Sequence, residues 1–202
     1  GYWKDAKNLE EAQWNKLDLI CRKLKLKPGM KLLDIGCGWG GMAIHAAKHY
    51  GVEVEGVTIS QKQLDFALEK IKKLNLDLPI NLKLLDYRDL LRTPGKRFDR
   101  VVSIGMFEHI GHKNYRSFMK TANHIMKDEG FMLLHTIGSN RSKLNCDPWI
   151  NKYIFPNGEL PSAGQIARAA DNIFKLEDWH SFGENYDKTL MAWHEKFNTH
   201  WP

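Results

Sequence analysis

Three observations predict an α/β architecture, a mostly parallel sheet with helices on both faces. Short apolar runs alternate with segments of helical period. The first of these runs passes directly into a glycine-rich turn and then a helical segment, giving strand, loop and helix in succession. The clearest helical stripe in the chain, residues 115–126, is followed after a glycine by another apolar run at 131–136. With right-handed crossovers, such a sheet binds ligands at the carboxyl ends of its strands. The 202 residues, 43% hydrophobic and 27% charged, suit one globular domain, taken as 1–202.

Each element follows from local chemistry. Asn8 with Glu11 opens a capping-box-like start. Leu17, Ile20, Cys21 and Leu24 then share a helical face until Lys27-Pro28-Gly29 ends it. Residues 31–35 read as a buried strand, and 41–50 as a helix stopped by Gly51. A second strand is expected at 52–57. A second amphipathic helix begins at Ser60, with Leu64, Ala67, Leu68, Ile71 and Leu74 on its stripe. Strands are expected at 80–85 and 100–104, separated by a loop containing Thr93-Pro94-Gly95. Tyr115, Phe118, Met119, Ala122, Ile125 and Met126 form the next stripe, ended by Gly130. From 138 to 171 the pattern lapses into a Pro- and Asn-rich excursion with Asp147-Pro148-Trp149 and Phe155-Pro156-Asn157-Gly158, followed by a helix capped by Ser162. This segment reads as an insertion covering the substrate site. A strand at 174–181 and a helix at 186–201, with Leu190, Trp193 and Phe197 on one face, complete the expectation.

Composition narrows the function. No run of 18 apolar residues occurs, and the first residues lack the basic start and apolar stretch of a secretory signal, so a soluble, cytoplasmic protein is expected. Cys21, Cys37 and Cys146 are odd in number and contain no C-x-x-C, which suggests neither a disulfide framework nor a structural zinc site. A net charge of +6 favours anionic partners, either acidic lipids or nucleic acid. No RNA-binding signature accompanies it, so nucleic acid is not expected.

The strongest motif is Asp34-Ile35-Gly36-Cys37-Gly38-Trp39-Gly40-Gly41 at the strand-to-helix transition. Glycines admit a ligand close to the backbone, and the helix start offers N–H groups to a carboxylate or phosphate. Gly36-x-Gly38-x-x-Gly41 also satisfies the dinucleotide fingerprint, a pattern of low specificity. Two residues argue for S-adenosylmethionine instead. Asp34 suits a ligand with a cationic portion, and Thr58 stands where a dinucleotide would want an acid near the end of the second strand. A nicotinamide-dependent oxidoreductase remains the alternative on the residues alone.

The segments LDIGCGWGG, GVTIS, FDRVVSIGMFEHIG, LLHTIGS and DPWINKYIFPNGELPS, in this order and spacing, resemble the cyclopropane-fatty-acyl-phospholipid synthase family over nearly the whole chain. The glycine motif is common to many methyltransferases; Glu108-His109 after Gly105-Met106-Phe107, together with His135-Thr136-Ile137-Gly138, is far narrower. The resemblance implies a Rossmann-like class I methyltransferase fold. It also implies transfer from S-adenosylmethionine to a cis double bond of a phospholipid acyl chain, which closes a cyclopropane ring. A related olefin methyltransferase of mycolic type, and a non-catalytic module that only binds S-adenosylmethionine, are the alternatives.

Carried over by position, Asp34, Gly36, Gly38 and Gly40 would hold the methionine portion, with a backbone contact from Ile104. Thr58, Ile59 and Gln63 would hold the adenosine, Gln63 reaching the ribose, although Ser60 with Gln63 also reads as a simple capping box. Tyr87 would stack on the adenine, a core tyrosine being the other reading. Glu108, His135 and the backbone of Ile137 match the positions that hold a bicarbonate ion, the base that removes the last proton. Glu108 beside an anion is reconciled by sharing a proton with it. His109 would only orient its loop. The resemblance further implies a cysteine-bearing segment before Gly1, a tyrosine-bearing segment and a strand beyond Pro202, and in many relatives another N-terminal domain, so truncation at both ends is expected. The expected partners are a phospholipid bilayer, approached peripherally at the inner membrane face by aromatics of 149–156, and a second copy of the chain in a homodimer.

Overall fold

The computed structural model describes residues 1–75, 77–93, 98–142 and 147–201. Cys146 and the Pro94-Gly95 pair lie outside them. In chain order the helices are α1 (Leu9–Lys23), α2 (Gly41–Tyr50), α3 (Gln61–Lys73), α4 (Tyr115–Ile125), α5 (Pro148–Tyr153), α6 (Ala163–Ala170) and α7 (Glu184–His200). The strands are β1 (Lys31–Ile35), β2 (Glu53–Thr58), β3 (Ile80–Leu84), β4 (Phe98–Ile104) and β5 (Met126–His135).

Contacts group the chain into two compact units, Leu26–Lys175 and a second made of Gly1–Lys25 with Leu176–Pro202; the domain expected at 1–202 spans both. In the second unit, Asn8 caps α1 by accepting from Glu11 N–H. Trp3 donates its backbone N–H to Asn185 and its indole N–H to Thr189 of α7. Tyr2 packs edge-on against His180 and Phe182.

The larger unit holds the sheet, ordered β3-β2-β1-β4-β5, and every pair is parallel. From β1 the chain winds outward through α2 and α3 to β3, then returns across β1 to β4 and continues through α4 to β5. The reversal leaves a crevice between the carboxyl ends of β1 and β4, the point at which such sheets bind ligands. Right-handed crossovers put α2 and α3 on one face and α4 on the other. The α4 stripe explains that placement: Tyr115, Phe118, Met119, Ala122 and Ile125 are buried in one cluster with Leu33, Ile35, Val57, Val101 and Phe107. Each large side chain so buried contributes about 1.5–3 kcal/mol. Ser60 caps α3 by accepting from Gln63 N–H, and Ser162 with Gln165 forms a complete capping box on α6.

Four expectations are corrected. The α4 helix stops at Ile125 rather than at Gly130, because Met126 turns into the core and pairs with Phe98 as the start of β5. Register then jumps to Arg100 opposite Phe131. The jump leaves Lys127, Asp128 and Glu129 exposed, with Lys127 Nζ 2.6 Å from Asp99. Residues 174–181 form no strand: Phe174 packs against the core, but Leu176 and Trp179 are exposed, so the alternation is not carried on to a continuous buried face. Residues 87–92, expected as the start of a loop, form a 3₁₀ helix capped by Asp86. Within the insertion, Asp147 caps a short helix, α5, that the Pro-rich reading omitted.

Candidate functional site

Asp34 is the next-to-last residue of β1, the central strand. It is 1% exposed, and its Oδ2 has no hydrogen-bond partner among the described residues. Burial pushes its carboxyl up to about 7. An acid held this way fits a ligand that brings a cation or donors to it.

The turn after β1 is held by the backbone. Gly36 and Cys37 both donate their N–H to Val57 O, at 2.9 and 3.0 Å. Gly36 has φ +80°, and a Cβ there would stand 2.6 Å from Met106 Cγ, so this glycine serves the fold. Gly38 has φ +52° and nothing within 4 Å of where a Cβ would stand, which leaves its space to a ligand. Gly40 precedes α2 and provides no side-chain cap, so the first N–H groups of that helix are left to a ligand or to water. Cys37 is no nucleophile: burial first, then the charge of Asp34, pushes its thiol up to about 12.

At the end of β2, Thr58 is buried and donates its hydroxyl to Gln63 Oε1 at 3.0 Å. That bond orients Gln63 and leaves its Nε2 without a partner among the described residues. Ile59 is 79% exposed beside it. Trp39 of the turn meets Phe66 of α3 edge-on at 5.2 Å. Tyr87 is half-buried, with its ring edge-on to Phe118 at 5.3 Å, so part of it belongs to the core. Ile104 ends β4 opposite His135, and the next residue, Gly105, donates its N–H to His135 O at 2.9 Å.

Glu108 and Ile137 meet beyond the ends of β4 and β5, and His135 is the last residue of β5. Glu108 is 6% exposed on a short 3₁₀ turn, and its Oε1 accepts from Ile137 N–H at 2.7 Å. The N–H expected to hold an ion is thus bonded to the glutamate. Glu108 Oε2 is buried without a hydrogen-bond partner among the described residues. His109 meets Phe155 of the insertion edge-on at 5.7 Å.

Three further residues border this acid pocket and escaped the sequence. Glu159 donates its N–H to Glu108 O at 2.8 Å, and its Oε2 accepts from His112 N–H at 2.8 Å and lies 2.9 Å from His112 Nδ1. Tyr115 stacks on Phe107 with ring centroids 4.1 Å apart. Its period placed Tyr115 on the core stripe correctly, but nothing local shows what its hydroxyl faces. Among the described residues, no cluster of His, Cys, Asp or Glu is arranged to hold a metal, and no helix is long and apolar enough to cross a membrane.

The strand order, the glycine turn after the central strand and the crevice beside it define the Rossmann-like fold of the class I methyltransferases. The family model for mycolic acid cyclopropane synthetase matches residues 1–202, and the chain belongs to that family. It is 56% identical over 201 residues to the cyclopropane-fatty-acyl-phospholipid synthase of Escherichia coli K12, covering 100% of this chain and 50% of that protein. It is 38% identical to a probable fatty acid methyltransferase of Pseudomonas putida, covering 96% of this chain and 50% of that protein. The chain therefore spans about half the length of these curated relatives. Among solved structures, the cyclopropane synthase MmaA2 of Mycobacterium tuberculosis superposes with a TM-score of 0.88 at 32% identity, covering 98% of this chain and 73% of that one. The mycolic acid cyclopropane synthase CmaA1 complexed with SAH and CTAB gives 0.86 at 33% identity, with the same coverage.

Proposed function

We propose that this chain is the S-adenosylmethionine-binding catalytic part of an enzyme that converts a cis double bond in a phospholipid acyl chain into a cyclopropane ring. The observation that carries the reading is the buried Oδ2 of Asp34, without a hydrogen-bond partner among the described residues, beside the open space at Gly38 and at the switch point of the sheet. S-adenosylmethionine supplies the sulfonium methyl group that the π electrons of the double bond take up. Asp34 receives the cationic portion of the cofactor, Gly38 lets the backbone approach it within the turn that Gly36 and Gly40 bend, and the start of α2 offers N–H groups to its carboxylate. Ile104 adds a backbone contact. Thr58 holds Gln63 so that Nε2 reaches the ribose, Ile59 offers an apolar face to the adenosine, and the free face of Tyr87 lies against the adenine. The SAH held by CmaA1 supports a cofactor of this kind.

Proton removal falls to the group of Glu108, His135 and Ile137, where a bicarbonate ion serves as base. Glu108 Oε2 would hold such an ion by sharing a proton with it, and Ile137 N–H, now bonded to Glu108 Oε1, would be the second donor available to it. The buried Phe107 beside them helps to keep water away. The partner is a bilayer surface. Trp149, Tyr153, Ile154 and Phe155 are 60, 60, 49 and 49% exposed along α5 and the residue pair after it, and Lys152 among them favours anionic headgroups.

The test incubates a longer protein containing this chain with vesicles of a cis-monounsaturated phospholipid and S-adenosylmethionine, followed by mass spectrometry of the acyl chains. A gain of one methylene per double bond, lost on removal of bicarbonate, is expected. A methyl-branched or hydroxylated product would move the reading to the mycolic type of relative, and an unchanged acyl chain would overturn it. Flotation that fails to favour anionic over neutral vesicles would remove the electrostatic part of the bilayer reading.

A further inference from the structure

Two buried polar atoms of complementary chemistry lie on either side of the Phe107–Tyr115 stack, on Glu108 next to Phe107 and on Tyr115 itself, and neither has a partner among the described residues. One is Glu108 Oε2, an acceptor, and the other is the Tyr115 hydroxyl. Tyr115 is 3% exposed and lies flat against Phe107, the residue before Glu108, at 4.1 Å and 22°. Leaving a buried polar group unsatisfied costs about 1–3 kcal/mol, so both atoms gain from being joined.

The charge of Glu159 also acts on this phenol, but His112 engages its Oε2. Its Oε2 takes the His112 backbone N–H and lies against Nδ1, and its own N–H is tied to Glu108 O. The Glu108 Oε1 is likewise engaged, by Ile137 N–H. Among the described residues, Glu108 Oε2 is the carboxylate oxygen of this region that is both buried and without a hydrogen-bond partner.

We infer that Tyr115 is a positioning residue, whose hydroxyl donates through one water to Glu108 Oε2 and fixes the carboxylate that Ile137 holds at its other oxygen. The phenol remains a donor throughout the physiological range, because burial, followed by the charges of Glu159 and Glu108, pushes it up to about 12. A carboxylate gripped at both oxygens keeps a single orientation toward the reacting centre, which is the use of such a contact in a proton-handling group. The inference rests on the reading of Glu108 as part of the proton-removing site.

The test uses the full chain with tyrosine labelled at 13Cζ and the variants Tyr115→Phe, Glu108→Gln and Glu159→Gln. Tyr115→Phe keeps the stack on Phe107, removes only the oxygen, and assigns the resonance by its disappearance. The Tyr115 signal is expected to move in Glu108→Gln and to hold in Glu159→Gln; the reverse pattern, or no movement in either, overturns the inference. In the longer protein, Tyr115→Phe is expected to lower kcat about tenfold, or about 1.4 kcal/mol, with KM for S-adenosylmethionine unchanged. If the unsubstituted enzyme transfers methyl groups and Tyr115→Phe keeps its full kcat, the inference fails whatever the resonance does. If the unsubstituted enzyme transfers nothing, the proposed function fails, and the labelled resonance alone decides the role of Tyr115.

Discussion

The two halves of the candidate site are built in opposite ways. Around Asp34 the backbone does the work: the alternating glycines Gly36, Gly38 and Gly40, with φ of +80, +52 and +75°, bend the chain off the central strand, and two adjacent N–H groups anchor the turn on Val57. Around Glu108 packing between distant segments does the work. The Ile137 N–H after β5 bonds its carboxylate, the Glu159 N–H of the insertion bonds its backbone carbonyl, and Tyr115 of α4 stacks on the neighbouring Phe107. A backbone-built site tolerates change in side chains but not in backbone geometry, whereas a site built by packing fails when any of its members is lost.

The largest effect that sharpens this contrast falls on Phe107, fully buried between Tyr115 and Phe118. Phe107→Ala is expected to cost about 3–5 kcal/mol in a denaturant titration and to disorder the Glu108 side of the site first. Gly36→Val should cost about 3 kcal/mol in the same measurement, since both the φ of +80° and the 2.6 Å approach to Met106 Cγ oppose it. A fold that tolerated Gly36→Val would break the claim that this turn is fixed by its backbone.

Asp34 should reveal itself through pH. Its carboxyl is raised from 3.8 to about 7, so the folded state holds a proton there that the unfolded chain has released. Stability from this group is therefore greatest below the lower value and declines as pH rises toward the upper, by at most ~1.4 kcal/mol per pH unit. Denaturation midpoints measured across that window should fall in the unsubstituted chain and run flatter in Asp34→Asn. Smallest is Ser60→Ala, which removes the cap of α3 and should cost about 1 kcal/mol while Thr58 keeps its bond to Gln63.

The same contrast decides what could be read before the structure. Strand, turn and helix around Asp34 are local features, and residues 31–51 folded as their pattern predicted. Asn8, Ser60 and Ser162 cap their helices because capping is settled within four residues. The register jump in β5 depends on how Met126 meets Phe98, and the irregular path of 174–181 depends on the lack of a continuous buried face; neither is local. Glu108, His135 and Ile137 could be named only by resemblance, and the contacts of Tyr115 and Glu159 with that group exist only after α4 and the insertion have packed. The α5 helix is the exception, since Asp147 before Pro148 is a local start signal that the surrounding Pro and Asn obscured.

Calorimetric titration of the chain with S-adenosylmethionine, alongside Gly38→Val, tests the central claim most directly. No neighbouring atom stands beside Gly38, so the substitution meets only the strain of a φ of +52°, about 1–3 kcal/mol, and a variant shown by circular dichroism to be folded should have lost cofactor binding by 100-fold or more, on the order of 3 kcal/mol. Equal binding by both forms, or binding of NAD in place of S-adenosylmethionine, would contradict the account.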